Sequence, residues 1–122
     1  MMRYTVSHEW VALEGKVATV GVTDFAQKEL GDIVYIELPK VGQVFKMGEE
    51  TCVLESTKAA ADTYAPVSGK VVAVNETVAK NPSLINRSAE EGGWLFKIEL
   101  KDPKEWDVLL SQQDYLSLVA SS

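Results

Sequence analysis

Apolar and polar residues alternate along the first part of the chain as they do in β-strands. The segment KVATVGV shows this two-residue period, residues 10–13 before it form a short apolar run, and the Glu14-Gly15 pair between the two is typical of a turn. Within KVATVGV, alternate residues lie on the same face of the strand, and one of the two faces consists of Ala18, Val20 and Val22. The pattern therefore predicts a β-hairpin near the start of the chain.

Two later segments show the same period. IVYIELP predicts a strand that begins at Ile33 and ends before Pro39, because proline cannot donate a backbone hydrogen bond within a sheet. Its predicted faces are Ile33, Tyr35 and Glu37 on one side and Val34, Ile36 and Leu38 on the other. WLFKIELK predicts a strand with one buried face, formed by Trp94, Phe96, Ile98 and Leu100. These segments predict an all-β core.

Capping residues predict short helices between the strands. In TDFAQKELG, Asp24 followed by Gln27 is a capping-box signal, and Gly31 is a suitable C-cap. We therefore expect a helix near 24–30. The Asn-Pro pair of KNPSLIN predicts a helical turn near 82–86, since proline is favoured at the first helical position.

The end of the chain carries a second set of helix signals. Asp102 as N-cap, Pro103 at the first helical position and Glu105 two residues later predict a helix start. SQQD at 111–114 predicts a further short helix. We expect a single domain over residues 1–122, with a β core over 4–101 and a helical tail over 103–120.

A weak internal repeat occurs at an offset of 27 residues. The matched pairs include Pro39 and Pro66, Gly42 and Gly69, Val44 and Val71, and Phe45 and Val72. Two copies are too few for a solenoid but suffice for a pseudo-symmetric β core, with Lys58 between them. Chance is the alternative explanation, because glycine and valine recur in strands without any duplication.

Composition narrows the class of partner. The formal net charge of −6 argues against nucleic acid or an anionic membrane as the main partner and favours proteins with basic surfaces. The chain has one cysteine, which excludes an internal disulfide and suits a reducing compartment. Because we find neither a signal peptide nor an apolar run of membrane-spanning length, we expect a cytoplasmic protein.

Residues with catalytic potential are few. His8 is the one histidine, so a histidine-based catalytic set would have to use it, and no nucleophile elbow, phosphate loop or metal-spaced Cys/His cluster occurs. Cys52 lies in the apolar segment TCVLES, which predicts a buried and unreactive thiol. We therefore expect a protein that is not an enzyme and binds no metal.

Lys58 is the residue that invites a functional explanation. It lies in ESTKAAADTYAPVSG between two apolar runs that predict strands, so residues 56–61 should form a protruding connection. Small alanines beside it leave room for another protein to reach its ammonium group. The arrangement suits a lysine that is chemically modified, although a turn lysine can also serve solubility alone.

Several longer segments, in this order along the chain, resemble the H proteins of the glycine cleavage system. They are SHEW, GVTDFAQKELGDIVYIELPKVG, ESTKAAADTYAPVSGKVVAVN, NPSLIN and GGWLFKIEL. The resemblance implies the barrel-sandwich hybrid fold of lipoyl and biotinyl domains, with lipoate attached to Lys58 through an amide bond. Thr57 and Ala59 flank the lysine where biotin carriers usually have methionine, which favours lipoate.

The resemblance also implies partners. In this family a pyridoxal-phosphate-dependent glycine decarboxylase loads an aminomethyl group onto the arm, and a tetrahydrofolate-dependent aminomethyltransferase removes it. Dihydrolipoamide dehydrogenase then reoxidises the arm, and a lipoate ligase or octanoyltransferase supplies the modification. We expect a monomer, located in the mitochondrial matrix if the source is a eukaryote.

The family is also thought to shelter the loaded arm in a surface cleft. By motif position Ser7, Glu9 and Asp62 would line it, and the two carboxylates would hold the cationic amine. Two ordinary roles remain open, since Glu9 would also suit an exposed turn and Asp62 would also suit a cap of the tip. We interpret His8 and Trp10 as structural residues.

Other functions are also open from the residues alone. The same lysine could serve a relay that donates lipoate to 2-oxoacid dehydrogenase subunits, or an H-like lipoyl protein with other partners. An unmodified β domain could act as an interaction module through its acidic surface.

Overall fold

Two antiparallel β-sheets form most of the structure, a computed structural model that describes residues 2–121. Over this part of the chain there are nine strands and five short helices. In chain order they are β1 (Met2–Tyr4), β2 (Glu9–Glu14), β3 (Val17–Val22), α1 (Asp24–Leu30), β4 (Ile33–Glu37), β5 (Val44–Phe45), β6 (Glu50–Ser56), β7 (Ala60–Tyr64), β8 (Gly69–Val74), α2 (Glu76–Lys80), α3 (Ser83–Ser88), β9 (Phe96–Leu100), α4 (Lys104–Asp107) and α5 (Gln112–Ala120).

The two sheets share one apolar core. The larger sheet has the strand order β1-β2-β3-β9-β8-β5, and the smaller has the order β4-β6-β7. Val11, Val20 and Ile98 enter the core from the larger sheet, and Ile36 and Leu54 enter it from the smaller. The predicted all-β sandwich is confirmed, although the two sheets do not close into a continuous barrel.

The predicted first hairpin is confirmed. Strands β2 and β3 pair from Glu9 and Val22 to Glu14 and Val17, which leaves a two-residue turn at Gly15 and Lys16, one residue later than predicted. Gly15 has a φ of 61°, a conformation that glycine adopts without strain. The hairpin positions residues 7–9 at the start of β2, and these residues line a cleft.

Strand β4 departs from the predicted alternation. Its pairing with β6 shifts between Ile33 and Tyr35, as at a β-bulge. Because the bulge resets the facing of the strand, Ile33 and Ile36 are both buried while Val34 and Tyr35 are exposed. The predicted two faces of this strand are therefore wrong.

The N-cap of helix α1 lies one residue before the predicted cap, Asp24. Thr23 is the N-cap, and its Oγ1 accepts a hydrogen bond from the Ala26 N–H at 3.2 Å. Asp24 does not cap the helix; its Oδ1 instead accepts from the Gln27 amide at 2.9 Å. Gly31 ends the helix as predicted, with a φ of 81° and its N–H bonded to the Gln27 carbonyl at 3.0 Å.

The region between β8 and β9 is more helical than predicted. The turn expected near 82–86 is the six-residue helix α3, and the preceding helix α2 was missed. Asn75 is the N-cap of α2, and its side chain accepts a hydrogen bond from the Thr77 N–H. The short strands β1 and β5 were missed as well, because two or three residues are too few to show a period.

The two predicted helices of the tail are present, and Asp102 Oδ1 accepts from the Lys104 N–H at 3.0 Å at the start of α4. Ser111 caps α5 by accepting from the Asp114 N–H at 3.1 Å. The Glu105 carboxylate accepts from the N–H and the hydroxyl of Ser68 at 2.7 and 2.8 Å. This pair of bonds fastens the tail to the connection between β7 and β8.

Burial does not support the 27-residue repeat. Val44 is 63% exposed whereas its match Val71 is fully buried. Phe45 is 6% exposed whereas its match Val72 is 40% exposed. Because the matched residues face opposite ways, the repeat in this register is a chance similarity of strand sequences.

Cys52 is buried, as its segment predicts, and burial raises the pKa of its thiol to about 11. We expect alkylation of the native protein by iodoacetamide at pH 8 to be at least about tenfold slower than alkylation after unfolding in guanidinium, since the thiolate is the reactive form. Mass spectrometry over time measures both rates. Equal rates would contradict a protected thiol.

The raised pKa of the Cys52 thiol also predicts how the stability of the folded protein depends on pH. The folded pKa of Cys52 lies above the value of about 8.5 for an unfolded thiol, so the contribution of the neutral thiol to stability is complete below that value. It is then lost as the pH rises towards about 11.

Candidate carrier site

The turn that carries Lys58 is shorter than predicted. Strand β6 ends at Ser56 and β7 begins at Ala60, so three residues, 57–59, connect them rather than the expected six. The Ser56 N–H donates to the Ala59 carbonyl at 2.8 Å, and Ser56 Oγ accepts from the N–H groups of Lys58 and Ala59, each at 3.1 Å. The turn is therefore held by backbone groups and one serine, which leaves the Lys58 side chain exposed.

Helix α1 and the residues after it accept hydrogen bonds from this turn. The Thr57 N–H donates to the Asp32 carbonyl at 3.1 Å, and Lys58 Nζ donates to the Glu29 carbonyl at 3.4 Å. A Cβ on Gly31 would lie 2.9 Å from Lys58 Cε, so glycine leaves the space in which the lysine stem rests. The side-chain bond is long, and the ammonium group can leave it readily.

A cleft of about 440 Å³ opens beside the turn. Three parts of the chain form its walls: residues 7–9, helix α1 and the paired strands β6 and β7. Its apolar lining includes Val22, Phe25, Ala26, Leu30 and Leu54, and its acidic lining consists of Glu9, Glu29 and Asp62. One cleft therefore combines a surface for hydrocarbon with carboxylates suited to a cation.

Glu9 is the most deeply placed of these carboxylates. It is 1% exposed, which excludes the exposed turn role left open above. Its Oε1 accepts from the hydroxyls of Thr5 and Ser7 at 2.5 and 2.6 Å, and its Oε2 accepts from the Tyr64 N–H at 3.2 Å. None of these partners is a cation, so neutral donors alone satisfy this buried carboxyl group.

Asp62 and Ser7 also line the cleft, as the resemblance implied. Asp62 lies within β7 opposite Val53, so it is not at the tip and does not cap it. Its side chain is exposed and makes no hydrogen bond within the part of the chain described. Glu29 was missed, because on α1 it looks like any exposed helical glutamate and only the folded structure places it in the same cleft lining as Asp62.

His8 also lines the cleft, and its backbone has an uncommon conformation. Its φ of 71° makes it the one described residue other than glycine with a positive φ. Its Nδ1 lies 2.8 Å from the Tyr115 hydroxyl, and its ring packs against Phe25 with centroids 4.9 Å apart. These contacts agree with the structural role interpreted for His8.

Trp10 is likewise structural. It is 3% exposed, and its Nε1 donates to the Ala89 carbonyl at 2.9 Å. Its ring lies where a Cβ on Gly21 would be, 2.6 Å from the nearest ring atom, so the neighbouring strand must have glycine there.

The fold and the site together define a class of protein. A β-sandwich presents one lysine on a short turn, and next to that lysine lies a cleft with apolar and acidic walls. This arrangement is that of a carrier domain, which holds a covalently attached group and offers it to other proteins.

Comparison with known proteins gives the family. The sequence model of the family described as Glycine cleavage H-protein matches residues 2–122. The glycine cleavage system H protein of Thermotoga maritima is 53% identical over 120 residues, which is 98% of this chain and 97% of the relative. That of Alcanivorax borkumensis is 52% identical over 98% of this chain and 94% of the relative.

A solved structure agrees with these relatives. The crystal structure of a glycine cleavage system H protein from Mycobacterium marinum has a TM-score of 0.86 and 31% identity, and the match covers 98% of this chain and 96% of that one. The chain belongs to the glycine cleavage H-protein family, the non-catalytic lipoyl carrier of the glycine cleavage system. These similarities do not favour the alternative of a lipoate relay.

We find no helix in residues 2–121 with the length and apolar character needed to cross a membrane.

Proposed function

We propose that Lys58 carries lipoate in amide linkage and that the loaded arm rests in the cleft formed by residues 7–9, α1 and the β6 and β7 strands. The observation that carries this proposal is the position of Lys58. Its Nζ touches the carbonyl of Glu29, and Glu29 itself lines the cleft. An arm extended from Nζ therefore starts at the cleft entrance.

The lining of the cleft suits both ends of such an arm. Leu30 and Leu54 offer apolar contact for the hydrocarbon and the sulfur ring. Ser7, Glu9 and Asp62 are polar residues of the lining, and the two carboxylates would give an aminomethyl cargo with a cationic amine charge-assisted acceptors. The role of this chain is to bind, orient and exclude water, and lipoate supplies the disulfide chemistry of group transfer when attached.

The surface around the turn also suits visiting enzymes. Four exposed carboxylates lie on the segments that meet at this turn: those of Glu29 and Asp32 in and after α1, that of Glu55 on β6 and that of Asp62 on β7. This acidic rim would attract partners with basic docking surfaces, because opposite charges speed the encounter of proteins. We propose that the visiting proteins are the glycine decarboxylase, the aminomethyltransferase, dihydrolipoamide dehydrogenase and the lipoate ligase or octanoyltransferase.

A mass spectrum of peptides tests the attachment. The protein is incubated with a lipoate ligase, lipoate and ATP, and then digested. We expect one lipoyl group, on the peptide that contains Lys58. Absence of the group, or its presence on another lysine, would contradict the proposal.

The cleft is tested by removing its charges without changing its shape. We expect the double variant Glu9→Gln, Asp62→Asn to lose the aminomethyl group from loaded protein about tenfold faster than wild type, because two charge-assisted hydrogen bonds become neutral ones. The decay of loaded protein is followed by intact-mass measurement, and lipoylation should be unchanged. The matched control is Glu14→Gln, Asp107→Asn, which neutralises two exposed carboxylates outside the cleft lining. Equal decay of the cleft variant and its control would refute the shielding role.

A further inference from the structure

The hydroxyl of Tyr115 joins two walls of the cleft from outside it. Tyr115 lies on the tail helix α5 and is 4% exposed. Its Oη lies 2.8 Å from Nδ1 of His8 and 2.7 Å from Oγ1 of Thr23. His8 belongs to the wall formed by residues 7–9, and Thr23 is the N-cap of α1, the second wall.

The backbone strengthens the same junction. The Thr23 N–H donates to the His8 carbonyl at 3.0 Å, and Thr23 Oγ1 also accepts from the Ala26 N–H. The left-handed φ of His8 is uncommon for a residue with a side chain and needs support from its surroundings. The Tyr115 hydroxyl supplies that support, since its hydrogen bond to Nδ1 holds the His8 ring in place.

The donors and acceptors of this junction can all be matched. If the Tyr115 hydroxyl donates to His8 Nδ1, Thr23 donates to Tyr115; if His8 donates, Tyr115 donates to Thr23. In both cases the Tyr115 hydroxyl makes one hydrogen bond to His8 and one to Thr23 and so links the three side chains. Within the described residues, no buried side-chain nitrogen or oxygen lacks a partner.

We propose that Tyr115 is a positioning residue for the carrier cleft. Its hydroxyl holds His8, and with it Ser7 and Glu9, in register with α1, so that the tail helix sets how long the loaded arm stays sheltered. This inference rests on the proposed function of the cleft. The residue acts through His8 and Thr23 and does not itself touch the arm.

The test removes one hydroxyl. We expect loaded Tyr115→Phe protein to lose its aminomethyl group about threefold to tenfold faster than wild type, the effect of one neutral hydrogen bond, with lipoylation unchanged. The matched control is Tyr4→Phe. Tyr4 stacks on Tyr115 with ring centroids 4.7 Å apart, and its hydroxyl makes no hydrogen bond in residues 2–121, so its decay should equal that of wild type. Decay of Tyr115→Phe at the wild-type rate, or equal acceleration in both variants, would overturn the proposal.

A spectroscopic measurement separates positioning from a general loosening. His8 is the one histidine of the chain, so a nitrogen-15 correlation spectrum reports its ring tautomer without overlap. We expect Tyr115→Phe to change the tautomer balance of His8 and Tyr4→Phe to leave it as in wild type. An unchanged tautomer balance in Tyr115→Phe would overturn the proposal even if that variant were less stable.

A second variant tests the pathway through His8. His8→Asn accommodates the positive φ, since asparagine is among the residues that tolerate it. We expect its decay to be as fast as that of Tyr115→Phe and the double variant to be no faster than either, because both changes break one junction. Additive acceleration would contradict the shared pathway.

The decay rates of the two variants distinguish a wrong role for Tyr115 from a wrong role for the cleft. If Glu9→Gln, Asp62→Asn accelerates decay and Tyr115→Phe does not, the cleft shelters the arm without help from the tail. If neither variant accelerates decay, the proposed sheltering itself is refuted.

Discussion

The Lys58→Arg protein is expected to accept no lipoyl group and to support no glycine cleavage when mixed with the other components of the system. An amide bond requires an amine that can lose its proton and attack, and the guanidinium group of arginine stays protonated in proteins. Arginine keeps the positive charge and is slightly longer than lysine, and residue 58 is exposed, so the fold and the acidic rim should be unaffected. The change is therefore specific to the chemistry of attachment.

Intact-mass measurement after reaction with a lipoate ligase checks this expectation, and release of carbon dioxide from glycine checks its consequence. The matched control is Lys70→Arg, an exposed lysine on β8, which should be modified and active like wild type. A lipoyl adduct on the Lys58→Arg protein would show that another residue carries the group.

Gly69→Ala is expected to destabilise the protein by about 3 kcal/mol or more, with a fall in Tm of about 10 °C or more. A Cβ at this position would lie 2.0 Å from the Glu99 carbonyl oxygen and 2.9 Å from its carbonyl carbon. Both atoms are backbone, so relief requires β8 and β9 to separate. Gly69 pairs with Leu100 on one side and with Phe45 on the other, and a shift would disturb both pairings.

Thermal unfolding followed by circular dichroism measures the effect. The control is Gly92→Ala, because the nearest atoms to its added Cβ would be side-chain atoms at 3.7 and 3.9 Å, which is ordinary contact. We expect that variant to melt within about 2 °C of wild type, as for an ordinary surface substitution. Similar melting temperatures for the two variants would refute the close approach at Gly69.

The features that could be predicted from the sequence are those with a local cause. The hairpin of β2 and β3 follows from alternation and a glycine turn, and the tail helix α5 follows from the Ser111 cap. The exposed position of Lys58 follows from strands on both sides of a few small residues. In each case the neighbours along the chain provide the driving force.

Features that depend on distant contacts could not be predicted in this way. Glu9 looks exposed in sequence, yet hydroxyls of Thr5 and Ser7 and the Tyr64 N–H let it be buried. The bulge in β4 could not be predicted, because the strand contains no glycine or proline that would indicate one. The membership of Asp62 in the cleft came from resemblance alone, because no spacing rule relates it to Glu9.

Acylation of Lys58 would change the electrostatics of the tip as well as its length. An amide nitrogen has no charge, so the formal net charge of −6 becomes one unit more negative and the acidic rim loses its neighbouring cation. The carboxylates of Glu29, Asp32, Glu55 and Asp62 then act together without local neutralisation. Their field reaches about 8 Å at physiological ionic strength, so a basic docking surface experiences the difference before it touches the arm. The acylated protein would therefore present a more negative surface to a docking partner than the unmodified protein does.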